Sequence, residues 1–452
     1  MSNYIELKKG LTIPISGAAD LNVTKTKVPD TVAIQPSDFK GLIPRLLVKE
    51  GDRVLAGSPV LADKTHPEIL LTAPVSGVVS EIVRGEKRKL LAVVIKTDSK
   101  REYVDFGTKT VAGLNPDEIK EILLNSGLWP SLVQRPYGVI ANPDTKPKAV
   151  FVSAFKTAPL AADLEFTLGD QIPAIQEGIN ALGKLTGAKV HVSVDANDFE
   201  KSPFSKLTNA ELHLFKGKHP AGNVGVQISH IDPIKKDEIV WTVSPVLLAA
   251  IGKLFLTGHV ELRRKVAITG PKSLDYGYIE TLPGTPVEYI HEFFGSSVDA
   301  RIVSGDPLSG KTIGYNGYLG FFDDQISILQ EGTETELFGW ARPFRFNQFS
   351  ATRSYFSRFI PWKKYDMDTN LHGGPRAFVM SDSFYADVLP MDIFPTYLIK
   401  ACLAGDIDKM EKYGIYEVLP EDFATCEFID PSKNNIQDII ASGIDLMLKE
   451  MA

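Results

Sequence analysis

Residues 217–233 read Gly-Lys-His-Pro-Ala-Gly-Asn-Val-Gly-Val-Gln-Ile-Ser-His-Ile-Asp-Pro, residue types suited to binding a phosphate. Gly217, Gly222 and Gly225 free the backbone for close approach, and Lys218 brings a positive charge. The spacing, however, is neither the dinucleotide fingerprint nor a Walker loop. A dinucleotide loop places its glycines so that helix N–H groups face the pyrophosphate. Here Val224-Gly225-Val226-Gln227-Ile228-Ser229 alternates as a strand would, and a strand aims no helix N-terminus at a ligand. Two readings stay open. Gly217, His219, Pro220, Gly222 and Gly225 line a vestigial cofactor cleft that now takes another ligand or a partner. Alternatively they form a tight loop fixed by Pro220 and Gly222, the favoured reading, because fold analogy alone carries no function.

The remaining reactive side chains suggest little chemistry. His219 and His230, with Asp232 nearby, offer metal-ligand atoms, but one sits in a loop and the other at the end of the expected strand. Satisfied polar histidines explain them better, and no metal site is assigned. Ser76 and Ser304 lie in turn contexts rather than a GxSxG elbow, so no catalytic residue is named. The chain has 2 cysteines, Cys402 and Cys426, too few to hold an iron–sulfur cluster unaided.

The stretch 342–364 is the best interaction candidate. It carries Arg342, Arg345, Arg353, Arg358, Lys363 and Lys364 and no acidic residue. Phe344, Phe346, Phe349, Tyr355, Phe356, Phe359 and Trp362 interleave with them. Arginine between aromatics can stack and neutralise single-stranded nucleic acid. It can equally dock on an acidic or apolar groove or on anionic lipid, or pack beneath C-terminal helices. Packing and docking stand level, with nucleic acid below both.

Elements must position these residues. At 452 residues the chain is too long for a single core, and two to four domains are expected. A net charge of −7 gives no electrostatic footprint for nucleic acid. The N-terminus lacks the apolar region of a signal peptide. The most apolar window, 241–258, contains Ser244, Pro245 and Lys253 and is short for a membrane span.

Residues 1–100 read as an all-β domain, with strand-like runs at 78–83 and 90–95 around the turn Gly85-Glu86-Lys87-Arg88. Their pattern resembles a biotinyl/lipoyl-type barrel, with Lys64 nearest the modified lysine of a carrier. Pro67 follows where a carrier hairpin would not place a proline, so an unmodified structural barrel is expected. Residues 101–256 alternate helix and strand, beginning with an Asn115-Pro116-Asp117-Glu118 helix start, and read as a Rossmann-like α/β domain. Residues 257–330 return to strands and turns. Residues 331–452 form a basic-aromatic connector and a helical end, closing on the stripe Ile436, Ile439, Ile440, Ile444 and Met447. The whole is an α+β multidomain chain.

The chain resembles the A-subunit family of the Na⁺-translocating NADH:quinone oxidoreductase over nearly its whole length. The resemblance rests on Lys9-Gly10-Leu11 with Pro14-Ile15-Ser16-Gly17, Phe151-Val152-Ser153-Ala154-Phe155, the 217–233 loop, Arg301–Gly310, Leu337-Phe338-Gly339-Trp340 and Met391-Asp392-Ile393-Phe394-Pro395-Thr396. It implies a β-grasp segment, of the soluble-ligand-binding type, at 257–330. It also implies similarity in fold to the NADH-binding flavoprotein subunit of respiratory complex I. The implied role is a peripheral subunit on the cytoplasmic face of the bacterial inner membrane, beside five others, in an enzyme that couples NADH oxidation and ubiquinone or menaquinone reduction to Na⁺ export. NADH, FAD, FMN, riboflavin and iron–sulfur centres would belong to other subunits, leaving no cofactor in this chain. Quinone would be the ligand of the 217–225 cleft if that cleft binds one. Docking through 342–364 would then be onto a membrane subunit. The alternative is a stand-alone flavin/NADH electron-transfer protein, whose expected feature is an intact glycine-rich loop.

Overall fold

A computed structural model describes residues 3–24, 26–297, 299–333, 344–370 and 382–451. Arg342 and the Leu337–Trp340 motif lie outside them.

The largest sheet has seven strands: Asn3–Leu7, Glu211–Gly217, Lys189–Asp195, Ala149–Ala154, Val240–Thr242, Val133–Arg135 and Val139–Ile140. The first five pair in parallel, and the last two join through antiparallel ladders. Two helices pack together beside this sheet, Ile172–Thr186 and Pro245–Thr257. Both have Pro in the first turn and a left-handed Gly just past the end, Gly187 and Gly258. Proline fits where the N–H has no helical partner, and glycine fits where φ is positive. The helix Pro116–Asn125 starts on the expected capping box, with Asn115 and Glu118 bonded reciprocally to each other's backbone N–H.

Residues 31–97 fold into two small sheets. One orders Thr31–Ile34, Leu90–Thr97, Gly77–Arg84 and Arg53–Val54, and the other Pro44–Leu46, Pro59–Asp63 and Leu70–Thr72. The turn at Glu86–Arg88 joins the two longest strands as expected. Lys64 is exposed just after Pro59–Asp63.

The first strands pair outside these two small sheets. Asn3–Leu7 pairs in parallel with Glu211–Gly217, and Val23–Thr24 joins a six-stranded sheet built mainly from residues 264–330. The physical reason is edge protection: a strand added from a distant segment covers a row of open N–H and C=O groups. Nothing local in residues 3–7 announces that partner.

The C-terminal helices Pro395–Ala404, Ile407–Tyr413, Ala424–Ile429 and Ile436–Met451 enclose their own core. Ile436, Ile440, Ile444 and Met447 are fully buried in it, and Ile439 partly. Leu7, Phe155, Phe215, Ala221 and Val226 belong to the same core, so the large sheet and the C-terminal helices are packed into one body.

A cavity of about 30 Å³ lies where three layers meet, lined by Asp38, Phe39, Thr72, Gly127, Pro283 and Phe321. It has room for about one water. Asp38 Oδ2 accepts the Phe321 N–H at 2.9 Å. Burial nevertheless dominates and raises the Asp38 carboxyl from 3.8 to about 6. The folded chain therefore binds this proton more tightly than the unfolded chain. Stability from Asp38 is full below about pH 4 and falls as pH rises towards 6. Asp38→Asn should stabilise the chain by about 1–2 kcal/mol above pH 6 and leave it unchanged near pH 4. Urea unfolding at the two pH values measures this, and an equal effect at both would contradict it.

Candidate functional site

The 217–233 loop leaves the carboxyl end of the strand Glu211–Gly217 and enters a helix, Val224–Ile231. The expected strand at 224–229 is therefore wrong, and His230 ends a helix rather than a strand. An alternating run this short fits either element, and tertiary burial decides. Gly225, Val226, Gln227 and Ile228 are all buried. Val226 packs into the C-terminal core, while Ile228 packs against Phe151 and Val240 of the sheet. A helix can bury consecutive residues between two such layers, as a one-sided strand cannot.

The chain thus has the strand–loop–helix outline of a phosphate site, but its own atoms fill the space. A Cβ at Gly217 would lie 2.8 Å from Ala221 Cβ, and one at Gly222 would lie 2.6 Å from both Phe155 O and Thr157 N. At Gly225 it would lie 2.3 Å from Arg135 Nη1 and from Asp422 Oδ2. These glycines admit neighbouring backbone and a buried ion pair. Arg135 Nη1 donates to Asp422 Oδ2 at 3.2 Å, and Nη2 to Glu421 Oε1 at 2.8 Å. Asn223 Nδ2 donates to Glu421 O at 3.0 Å and to Asp422 Oδ1 at 3.3 Å. The Asp422 carboxylate lies against the first helical turn, where a negative charge is favoured. It occupies the place an anionic ligand would take.

His219 and Pro220 are buried in the same loop. His219 Nδ1 lies 3.3 Å from Thr157 Oγ1, which accepts the Gly222 N–H at 2.8 Å. The His219 carbonyl accepts from Leu11 N at 2.8 Å, so the N-terminal segment closes over the loop. Burial holds the His219 imidazole below its usual range and keeps it neutral. His219 Nε2, Gln227 Oε1 and Arg135 Nε are buried without a hydrogen-bond partner among the described residues. Besides the ion-paired Arg135 guanidinium, this wall offers the neutral His219 and Gln227 atoms, whereas Lys218 is exposed to solvent.

His219 and His230 do not converge on a metal. His230 Nδ1 instead lies 2.9 Å from Val226 O in its own helix. Another histidine pair went unread. His191 Nδ1 and His213 Nε2 are 2.9 Å apart, and Glu211 Oε2 is 3.4 Å from His191 Nδ1. Glu211 and His213 share a face because strand side chains repeat every second residue. That much was legible. The parallel register setting His191 beside Glu211 was not.

The basic-aromatic stretch divides in two. Arg345, expected to dock, is buried with its guanidinium over the Tyr355 ring at 5.1 Å. Phe349 packs towards Tyr365 and Phe428. In contrast, Arg353, Arg358 and Lys364 are exposed, and Lys363 is partly so. Phe344, Phe359 and Trp362 are also exposed, Trp362 by 79%. Burying Arg345 is tolerable because its planar cation stacks on an aromatic ring. The exposed remainder is a mixed cationic and aromatic surface.

Residues 5–98 match the NqrA N-terminal barrel-sandwich hybrid domain, and residues 114–260 match the NqrA second alpha/beta domain. The A subunit of the Na(+)-translocating NADH-quinone reductase of Neisseria meningitidis serogroup A is 36% identical over 451 residues, 99% of this chain and 100% of that one. The chain belongs to this NqrA family. The corresponding subunits of Serratia proteamaculans and Yersinia pestis are 37% and 36% identical, each across 95% of this chain and 96% of theirs. The family match spans the whole 217–231 loop and helix and both strands carrying the histidine pair. Among solved structures, an NAD+-reducing [NiFe]-hydrogenase in the H2-reduced state overlaps 75% of this chain and 62% of its own at a TM-score of 0.39 and 10% identity. In the described residues no helix is long and apolar enough to cross a membrane.

Proposed function

We propose that this chain serves as the A subunit of a Na⁺-translocating NADH:quinone reductase. It sits peripherally on the cytoplasmic face of the membrane and holds no redox cofactor of its own. The carrying observation is the identity to the family's members from end to end, 36% over 451 residues. The packed 217–225 loop supports the cofactor-free part: its glycines face protein, and Asp422 lies at the helix start. NADH, the flavins (FAD, FMN, riboflavin) and iron–sulfur centres then belong to the five other subunits. In fold, the large sheet reads as Rossmann-like, residues 31–97 as biotinyl/lipoyl-like without modification at Lys64, and residues 264–330 as β-grasp-like. With Nδ1 against the Thr157 hydroxyl, His219 Nε2 is the buried group there that can donate to a quinone oxygen, and Gly217, Pro220, Gly222 and Gly225 set the backbone around it.

Arg353, Arg358, Lys363 and Lys364, with their exposed aromatics, are the docking surface for a membrane subunit. Arg353→Glu with Arg358→Glu should weaken association with the other subunits by about thirtyfold, since each reversed interfacial charge costs roughly a kcal/mol. The melting temperature should hold. Undiminished co-purification would remove the docking role. A visible spectrum of the purified chain tests the cofactor claim: stoichiometric flavin or iron–sulfur bands would defeat it.

A further inference from the structure

His191 and His213 lie on neighbouring parallel strands, Lys189–Asp195 and Glu211–Gly217. Both are buried, at 6% and 3% exposure. Two imidazole nitrogens face each other at 2.9 Å, and a carboxylate oxygen stands 3.4 Å from one of them. Two neutral imidazoles can share a single hydrogen bond, yet His213 Nδ1 then stays buried with no partner among the described residues.

We propose that His191, His213 and Glu211 bind one divalent transition-metal ion, with water completing its coordination.

Three observations carry this. First, the spacing fits. Bonds of about 2.0–2.2 Å in a tetrahedron place ligand atoms roughly 3.3–3.6 Å apart; Glu211 Oε2 already stands 3.4 Å from His191 Nδ1, the histidine nitrogens open from 2.9 Å, and all three atoms lie within 4.8 Å of one another. Second, the donor set is right. Two imidazoles with one carboxylate suit zinc, cobalt, nickel or copper rather than magnesium or calcium. Third, the surroundings support the ligands. Lys189 Nζ grips Glu211 Oε1 at 2.6 Å, leaving Oε2 towards His191. The His191 ring is stacked on Phe151, with centroids 4.8 Å apart, which fixes its plane. Such outer contacts orient ligands. Glu211 is 46% exposed, giving the ion an entry path and open positions for water.

A second cluster, His66, Glu68 and Asp144, is more exposed and serves as the control. The full chain, free of any affinity tag and stripped with a chelator, is titrated with Co²⁺ alone and then with Zn²⁺. One Co²⁺ per chain is expected, with visible ligand-field bands that Zn²⁺ abolishes. Glu211→Gln and His213→Gln should each weaken binding at least about tenfold, as loss of ligand support does. His66→Ala should change nothing. Glu211→Gln alters a half-exposed side chain, so it keeps the test decisive if His213→Gln fails to fold. Zn²⁺ should also raise the melting temperature of the native chain but not of Glu211→Gln. The proposal is overturned if the native chain binds no Co²⁺ saturably, if Glu211→Gln binds as well as the native chain, or if His66→Ala abolishes the bands.

Discussion

Replacing Asp422 by Ala should destabilise this protein by about 3–5 kcal/mol, the usual consequence of stripping one partner from a buried ion pair. Asp422 is completely buried and Arg135 nearly so, at 2% exposure. The Asp422 carboxylate takes the Arg135 guanidinium, the Asn223 amide and the Leu419 backbone N–H, the last at 3.0 Å. Without it, Arg135 keeps Glu421, which is 38% exposed and screened by water. The penalty then comes from a cation left in a site built for a neutral pair. The substitution also loosens the 223–225 turn from the C-terminal segment, because Arg135 and Asn223 are both bonded to it at this point. Guanidinium unfolding of the chain measures the loss, and a change below about 1 kcal/mol would show that water reaches Arg135 freely. Arg135→Met combined with Asp422→Leu should recover much of the loss, since an apolar pair of similar size avoids the desolvation cost.

Gly252→Ala should cost about 3 kcal/mol or more, at the upper end of overpacking effects. A Cβ there would lie 1.7 Å from the Ala174 carbonyl oxygen and 2.9 Å from Gly178 N. Across the same contact, a Cβ at Gly178 would lie 2.5 Å from Leu248 O. The helices Ile172–Thr186 and Pro245–Thr257 meet backbone to backbone, so no side-chain rotation relieves the clash. Gly183 is the matched control. It lies on the first of these helices, but its Cβ would meet only Val190 Cγ2 at 3.7 Å. Gly183→Ala should therefore stabilise by about 0.5–1 kcal/mol, the helix propensity difference. Thermal melting of both variants separates the explanations. Equal destabilisation would mean the close helix contact is not the cause.

Much of the architecture was legible. Asn115 with Glu118 is a local signal, and local hydrogen bonding enforces it. The stripe Ile436, Ile440, Ile444 and Met447 was legible because an apolar face at helical spacing has one use. The run 224–229 was misread because its period suits two elements, and only the layers above and below choose between them. Arg345 looked like its exposed neighbours because charge on a sequence says nothing of depth.

The sequence by itself determined the family, since this depends on residue types and ordered motifs. Tertiary structure alone decided what the glycines of 217–225 are for. It brought Asp422, nearly two hundred residues away, against the helix that begins after Asn223. It also set His191 beside Glu211 and His213 through the register of two parallel strands. Both outcomes rest on contacts between distant segments. Their energies come from burial and pairing in three dimensions, and no local pattern encodes which segments will meet.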